Sequence, residues 1–376
     1  MIKIKTFDSI KDVPKEHWDS ILKNNNSCTY SYAFWQIMEQ SKLNDFSYHY
    51  ALFYDVNENP IGLTSFYTIT TDIAIFSPRK LKYLLQFIRQ TFPNFLKFKM
   101  LECGTPITLN QPLIVSEASN YDAVIKSLND LLLSTAKNQG HFLIVVRDFE
   151  PDVHSIESNF KAAGYHIVDS LPTTYMNILW ESTNEYLASM KSYYRCKLLK
   201  HLQINETQGT RHELREDFDD LSEILCNQWH VVHNHASEYQ REVLTAEFYK
   251  EFSIKMGAHS KVLLFYRNGA LVGHALLLMD NELLRWLYFG RNEALNDSLY
   301  IYVADKVIET AILLGAKKLE LGLTTYAIKK DLGAYLSPIK LALRSPLWLI
   351  DRHISLFYPL LNHVPEINNK IIFKNH

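Results

Sequence analysis

Two stretches of the chain say nearly the same thing: LFYDVNENPIG (52–62) and LFYRNGALVG (264–273). Each is an apolar run, a turn rich in Asn, Gly or Pro, and a second apolar run opening with Ile-Gly or Val-Gly. That is the pattern of a β-hairpin, with the LFY triplet at the same offset in both copies. Each hairpin is followed by a further strand, an amphipathic helix and another strand. The later copy is the better resolved. ELLRWLYFG (282–290) reads as a strand. Residues 299–314 read as a helix with Tyr300, Val303, Ala304, Val307, Ile308 and Ala311 on one face, and Asp305, Lys306 and Glu309 on the other. Asn296, Asp297 or Ser298 can cap its start, and Gly315 stands where a C′ glycine belongs. KKLELGL (317–323) then alternates as a strand. A strand, helix and strand of this length form a βαβ unit with parallel strands.

The earlier copy matches, with a strand at 95–103, a helix at 120–137 and a strand at 141–149. An extra helix falls near 79–90. A long helical stretch at 185–202 opens the second half. It is followed by a strand at 211–214 and helices at 218–229 and 245–255. The reading is an α/β chain of α+β mixed sheets, with helices on both faces of each. The domains expected are 1–180, 181–345 with the probable active site, and an apolar helical tail over 346–376, bracketed by Pro346 and Pro359.

Composition agrees with two such domains. The chain has 376 residues, and about 150 per domain is usual. Hydrophobic residues make up 47% and charged residues 21%, which excludes a disordered chain. Lys+Arg 39 against Asp+Glu 41 gives a net charge of −2, which argues against a generic nucleic-acid coat. The four cysteines, Cys28, Cys103, Cys196 and Cys226, show no paired spacing and read as reduced thiols of a cytoplasmic protein. No signal-peptide core opens the chain, and no apolar run reaches the ~18 residues of a membrane span. Motifs for nucleotide hydrolysis, dinucleotide redox chemistry, zinc proteolysis and α/β-hydrolase chemistry are absent.

Ligands of open α/β sheets bind beyond the carboxyl ends of parallel strands, near a helix N-terminus. Here that place is Phe289, Gly290 and the loop RNEALNDS (291–298). Asn296, Asp297 and Ser298 either cap the helix or meet a ligand, although Asp297 would repel an anion. Glu320 sits two residues before Gly322, on the polar side of its strand, and reads either as a general base or as half of a salt bridge. TTYAIKKDLGAY (324–335) sets two lysines beside Tyr326, either for an anionic ligand or as a solvated face. WHVVHNH (229–235) holds three histidines, but no carboxylate or Cys stands at a usual ligand spacing, so no metal is expected. One of them could accept a proton from an amine substrate. Lys191, Arg195, Lys197, Lys200 and His201, interleaved with Tyr193 and Tyr194, make a basic helix that could hold phosphates of a cofactor or an RNA end.

LTAEFYKEF (244–252), VLLFYRNGALVGHALLL (262–278), LYFG (287–290) with its following helix, and LELGLTTYAIKKDLGAY (319–335) together resemble the Fem-like branch of the GNAT acyltransferase superfamily. HWDSILKNNNSCTYSYAFWQIMEQS (17–41) resembles the N-terminal part of such proteins. The resemblance implies tandem GNAT domains and a donor held between splayed parallel strands of the second. It also implies transfer of an acyl or aminoacyl group to an amine, with no Ser or Cys nucleophile. It carries Tyr288, Phe289 and Gly290 onto the splayed strand and the family lysine onto Lys329 or Lys330.

The expected site therefore has Glu320, Tyr326 and Lys329 in catalysis, Tyr288, Phe289, Gly290, Asn296 and Ser298 toward the donor, and His233 and His235 toward the acceptor. The expected donor is an acyl-CoA. The loop RNEALNDS lacks the family's glycines, which keeps aminoacyl-tRNA as the alternative donor and a catalytically degenerate binding protein as a third reading. The acceptor is a small-molecule or cell-wall-precursor amine. The tail packs on the body or touches a membrane.

Overall fold

The computed structural model describes residues 2–374 apart from 24, 26, 73–78, 117–120, 152–155, 237–241, 296 and 363. The chain divides into two compact units. The first holds the chain up to Leu171, a short piece ending at Val243, and Pro338–Pro365. The second starts at Pro172, includes Leu244–Ser337 and takes the end of the chain from Glu366.

The first unit contains β1 (Lys3–Phe7), β2 (Ser47–Tyr54), β3 (Pro60–Asp72), β4 (Lys97–Cys103), β5 (Ile114–Val115), β6 (Ile144–Phe149) and β7 (His166–Asp169). Its helices are α1 (Lys15–Leu22), α2 (Tyr32–Gln40), α3 (Arg79–Thr91), α4 (Tyr121–Gln139) and α5 (Ile156–Ala162). The second unit contains β8 (Thr173–Asn177), α6 (Thr183–Ser189), α7 (Ser192–Thr207), β9 (Arg211–Arg215), α8 (Ser222–His235), α9 (Ala246–Met256), β10 (Ser260–Arg267), β11 (Ala270–Asp280) and β12 (Leu283–Arg291). It continues with α10 (Leu299–Leu313), β13 (Lys318–Gly322), α11 (Tyr326–Asp331) and β14 (Tyr335–Ser337). The chain then returns to the first unit with β15 (Lys340–Arg344), α12 (Trp348–Asp351) and α13 (Ile354–Leu361).

Among the described residues the first sheet runs β1-β2-β3-β4-β6-β15-β7, with β5 beside β3, and the second runs β14-β8-β13-β12-β11-β10-β9. Among the described residues only β4/β6 and β12/β13 pair in parallel. The two hairpins read from LFY form as β2–β3 and β10–β11. Each slips register at the same residues of the triplet, Phe53/Tyr54 in one and Phe265/Tyr266 in the other. A bulge at equal positions shows that the echo extends from sequence to backbone.

The expected boundaries at 180 and 345 are corrected by an exchange of strands. After β7 the chain does not return to its own sheet. β8 instead pairs with β13 and β14 of the second sheet, and β15 inserts between β6 and β7 of the first. Strands of three to five residues carry too little alternation to stand out in the sequence, where the next strong signal is a helix. The helical stretch expected over 185–202 is two helices, α6 and α7, parted where Met190 takes ψ 146. The tail is two short helices, with Pro359 inside the second. No disulfide joins Cys28, Cys103, Cys196 or Cys226.

Helix α10 is the spine of the second core. Val303, Ala304, Val307, Ile308 and Ala311 are fully buried against strands β10 to β13. Asp305, expected on the polar face, is buried too. Neither of its carboxylate oxygens accepts a hydrogen bond, although the Lys306 ammonium lies 3.3 Å from one of them. Burial pushes this carboxyl up to about 6, against the pull of Lys306.

Two outcomes follow for stability. A chain ending at residue 180 lacks β15, so β6 and β7 are each left with an open edge. It should melt without a cooperative transition by circular dichroism, and a peptide spanning 338–365 should restore one. Asp305 binds its proton more tightly folded than unfolded, so its contribution is fully present below pH 3.8 and is lost as pH rises through about 6. Asp305→Asn should therefore stabilise the protein at pH 7.5 by about 2 kcal/mol, with the gain vanishing toward pH 4, as read by denaturant titration.

Candidate active site at the parting of two strands

The parallel ladder between β12 and β13 is short. Leu283, Leu284 and Arg285 pair with Lys318, Leu319 and Glu320, and there it stops, while β12 runs on to Arg291. Two local features part the strands. Leu276 faces Tyr288 but Leu277 faces Trp286, so Leu287 is an extra residue that bulges β12 and increases its twist. On the other side β13, paired with β8 along its other edge from Lys318 onward, shifts register between Glu320 and Gly322, where Gly322 takes φ +70 opposite Thr174. Beyond it Thr324 and Thr325 hold φ of +62 and +51, conformations that β-branched residues rarely adopt. The first unit shows the contrast. There β4, the counterpart of β12, ends on the last parallel rung, Cys103 beside Val146, and it is the second strand, β6, that runs on to Phe149, paired on its other edge with β15.

The last rung of the ladder is an ion pair. The Arg285 guanidinium donates to Glu320, and its other arm lies 3.4 Å from Asp280. All three side chains are buried. Burial works against the arginine's charge, but Glu320 and Asp280 outweigh it and hold the guanidinium above its usual value. Thr173 donates to the second oxygen of Glu320 at 3.3 Å. Glu320 thus takes the salt-bridge reading, buried rather than half-exposed, and its lone pairs are committed to structure.

The bulge turns Trp286 and Phe289 to one face of β12 and Tyr288 to the other. Trp286 stacks on Tyr300 of α10 at 5.4 Å between centroids, and Phe289 meets Tyr300 edge-on at 5.3 Å. The Trp286 indole N–H donates to the Tyr288 carbonyl at 3.0 Å. Burial pushes the Tyr300 phenol up to about 12, opposed by a hydrogen bond with Thr325 at the end of β13. On the opposite face Tyr288 meets Trp229 of α8 and Phe248 of α9. His233 stacks on Trp229 at 4.4 Å, so it joins this aromatic group. His235 does not: it is exposed and bonds the Val231 carbonyl one turn back in its own helix. Among the described residues no group of three or more His, Cys, Asp or Glu side chains is arranged to hold a metal ion.

Lys329 lies just past the end of β13. Helix α11, unseen in the sequence pattern, buries this side chain and directs Nζ to the carbonyls of Gly322 (3.1 Å) and Leu323 (2.6 Å). Burial pushes the amine down to about 7, against the opposing charge of Glu320. Lys330 points elsewhere, to the Asn368 carbonyl at 3.0 Å. Of the two lysines left open by the sequence, Lys329 is the one at the strand end. Tyr326 opens the same helix and donates to the Pro172 carbonyl at 2.9 Å.

The start of α10 is already filled. Arg291 makes a two-pronged contact with Asp297 at 2.9 Å on each arm, and Asp297 accepts the Leu299 N–H at 3.0 Å. Burial would raise this carboxyl, but Arg291 and the Leu299 N–H outweigh it and hold it low. The helix N-terminus, with its positive dipole end, is therefore occupied by the chain's own carboxylate. Ser298 shares a hydrogen bond with His201 of α7 at 2.9 Å, leaving the cap to Asp297. Asn296 lies outside the described residues.

Gly290 acts through packing. A Cβ there would run into the His274 ring and stand 2.8 Å from the backbone nitrogen of Trp229, so glycine lets α8 seat on β12. His274 itself escaped the sequence reading. It is fully buried, and burial pushes its imidazole down to about 3. Its Nδ1 donates to Gln228 at 2.8 Å and its Nε2 accepts from Tyr249 at 3.0 Å, the only assignment a neutral ring allows against an amide oxygen. Gln228 passes the chain on to Asn292. A histidine inside the apolar run GHALLL was the available signal, since a buried polar group needs partners.

Comparison with known proteins bears on this arrangement. The family model FemAB-like, described as peptidoglycan biosynthesis/recognition, matches residues 9–325. Proteins of two Mycobacterium tuberculosis strains, provisionally named 8-amino-7-oxononanoate synthase 2, are 24% identical over 310 residues. The match covers 79% of this chain but 39% of those proteins, so the chain spans well under half the length of the curated relatives it matches. Among solved structures, FemX aligns at a TM-score of 0.55 with 12% identity, covering 89% of this chain and 96% of that one. L-PGS from Bacillus licheniformis aligns at 0.54 with 10% identity, covering 93% and 98%. A tandem GNAT protein from the clavulanic acid biosynthesis pathway aligns at 0.53 with 8% identity, covering 92% and 99%. At these identities the likeness is one of fold, and the fold is the tandem arrangement expected from the internal echo.

Gly290→Ala should lower stability by on the order of 2 kcal/mol, because backbone and a hydrogen-bonded ring, not a flexible side chain, must yield. Denaturant midpoints of the variant and the wild type decide this; equal midpoints would mean that α8 is free to shift.

Proposed function

The chain belongs to the FemAB-like family, and on that premise we propose that it is an acyltransferase acting on an amine, with the donor's carbonyl lodged where β12 and β13 part. The observation that carries the reading is the ladder that ends at Arg285/Glu320 while β12 continues. Past that rung the edge of β12 facing β13 has no ladder partner, and an extended acyl-bearing arm has the shape and the hydrogen-bonding groups to take its place. The amine nitrogen attacks the carbonyl carbon, the carbon–sulfur or carbon–oxygen bond breaks, and the thiol or hydroxyl leaves with a proton. Backbone N–H groups of β12 suit the oxygen that gains charge. Most of the gain comes from holding two reactants in register.

Lys329 suits the proton the amine must lose. Two of its N–H bonds are held by carbonyls, and an amine titrating near 7 offers a lone pair in the remaining direction once deprotonated. The acceptor amine would approach from the side of Tyr288, Trp229 and His233. An acyl-CoA thioester is the first donor to consider. One observation favours a second reading, an aminoacyl-tRNA ester: Asp297 fills the first turn of α10, where a pyrophosphate would otherwise find the helix dipole.

Thermal melts with a panel of acyl-CoAs and with charged tRNA separate the donors, since a ligand that binds only the folded state raises Tm. Transfer to model amines should rise with pH through about 7, and Lys329→Met should lower kcat by roughly 10²-fold or more and abolish that limb. Neither a shift with any donor nor transfer to any amine would leave the protein a binding module on this fold.

A further inference from the structure

The first unit carries an apolar face that its own core does not use. Helix α3, inserted between β3 and β4, buries Leu85 against the body but turns Leu84 and Phe87 outward, with Phe87 71% exposed. Phe92, just past the helix, is 64% exposed. The returning segment does the same. Ile354 of α13 is buried, while Leu356 is 62% exposed and Trp348 of α12 is 69% exposed. The two regions share one floor. Phe98, at the start of β4, meets Phe142 at 4.3 Å between centroids, and Phe142 packs on the small cluster that seats Ile354 and Tyr358. Large exposed apolar side chains gathered on one unit of a fold mark a docking face.

Charge says what docks. Helix α3 reads RKLKYLLQFIRQT, with four cations and no acid. Lys97 and Lys99 stand exposed on the adjoining strand with no ion pair among the described residues. Of the acidic side chains nearby, Asp72 is paired with Arg89 at 2.7 Å, Asp45 accepts from the Thr70 N–H and hydroxyl, and Asp351 accepts the Ser345 N–H. Aromatic and aliphatic side chains ringed by lysine and arginine are the composition of a segment that lies in the plane of an anionic bilayer, burying its rings at the headgroup level while its cations meet lipid phosphates. No described helix is long and apolar enough to cross a membrane, so such an attachment would be peripheral.

We propose that α3, the Phe92–Phe98 turn and α12–α13 form a docking face for an anionic lipid surface. The full chain is floated with vesicles of phosphatidylcholine containing a third phosphatidylglycerol, and with vesicles of phosphatidylcholine alone. Binding to the anionic vesicles should exceed binding to the neutral ones at least tenfold, fall severalfold in 0.5 M salt, and shift Trp348 emission to the blue. The double variant F87E/W348E should lose at least tenfold in vesicle binding at unchanged Tm, since both side chains are exposed. K97E/K99E should weaken only the anionic preference. Absence of flotation by the wild type would overturn the proposal. So would equal flotation of F87E/W348E, or a solution dimer that this variant dissociates while vesicles remain unbound; the last would assign the face to a second copy of the chain.

Discussion

The Arg285–Glu320 contact stands at the point where the second sheet divides, and the arrangement of the site depends on it. Below this rung two parallel strands share a ladder; above it each goes its own way. The guanidinium is buried between Glu320 of β13 and Asp280 of β11, so one cation holds two carboxylates, and it does so only while the strands stay in register. Removing the arginine would leave two carboxylates buried together without a cation, a cost of about 3–5 kcal/mol by the usual behaviour of buried pairs. The ion pair therefore works as a rivet at the crotch of a fork. It keeps the lower strands together against the twist that the Leu287 bulge introduces above them, and the separation has a fixed origin.

What could be read from the amino acids followed the strength of local periodicity. The hairpins, α10 and the strands on either side of it announce themselves by repeat and by capping residues; α10 and its flanking strands form within one or two residues of the expected ends, while the hairpin strands run on well past the stretches that mark them. Helix α11 did not, because its residues follow two left-handed threonines and show no apolar stripe. The lysine ambiguity was of the same origin: adjacent residues on a short helix are separated only by which one the fold buries. Glu320 was legible as a carboxylate facing the polar side of a strand, but its partner Arg285 lies 35 residues away in sequence, and pairing at that distance leaves no local trace. Gly290 is legible as a glycine on this strand, but the approach of α8 that demands it leaves no mark in the local sequence.

The two units, built on one plan, have been put to different use. In the first, the parallel pair closes where β4 ends, and the neighbouring side chains form an ionic cluster in which Arg147 answers both Glu102 and Asp148. In the second, the corresponding strand is longer and bulged, and past the last parallel rung it is paired with β11 alone. The two copies thus differ in which strand of the parallel pair runs past the last rung, β6 in the first and β12 in the second. The first copy is the one that bears the additional helix α3 and the returning segment.

The reciprocal placement of β8 and β15 has a consequence for synthesis. When the ribosome has completed β7, the first sheet still lacks the strand that separates β6 from β7, and that strand is encoded about 170 residues further on, roughly ten to thirty seconds of translation. For that interval a nascent chain carries unpaired backbone on edges rich in Val and Ile, the kind of surface that chaperones hold and that neighbouring nascent chains can seize. Slow or crowded expression should therefore harm this protein more than its length alone suggests, because its beginning waits for its end.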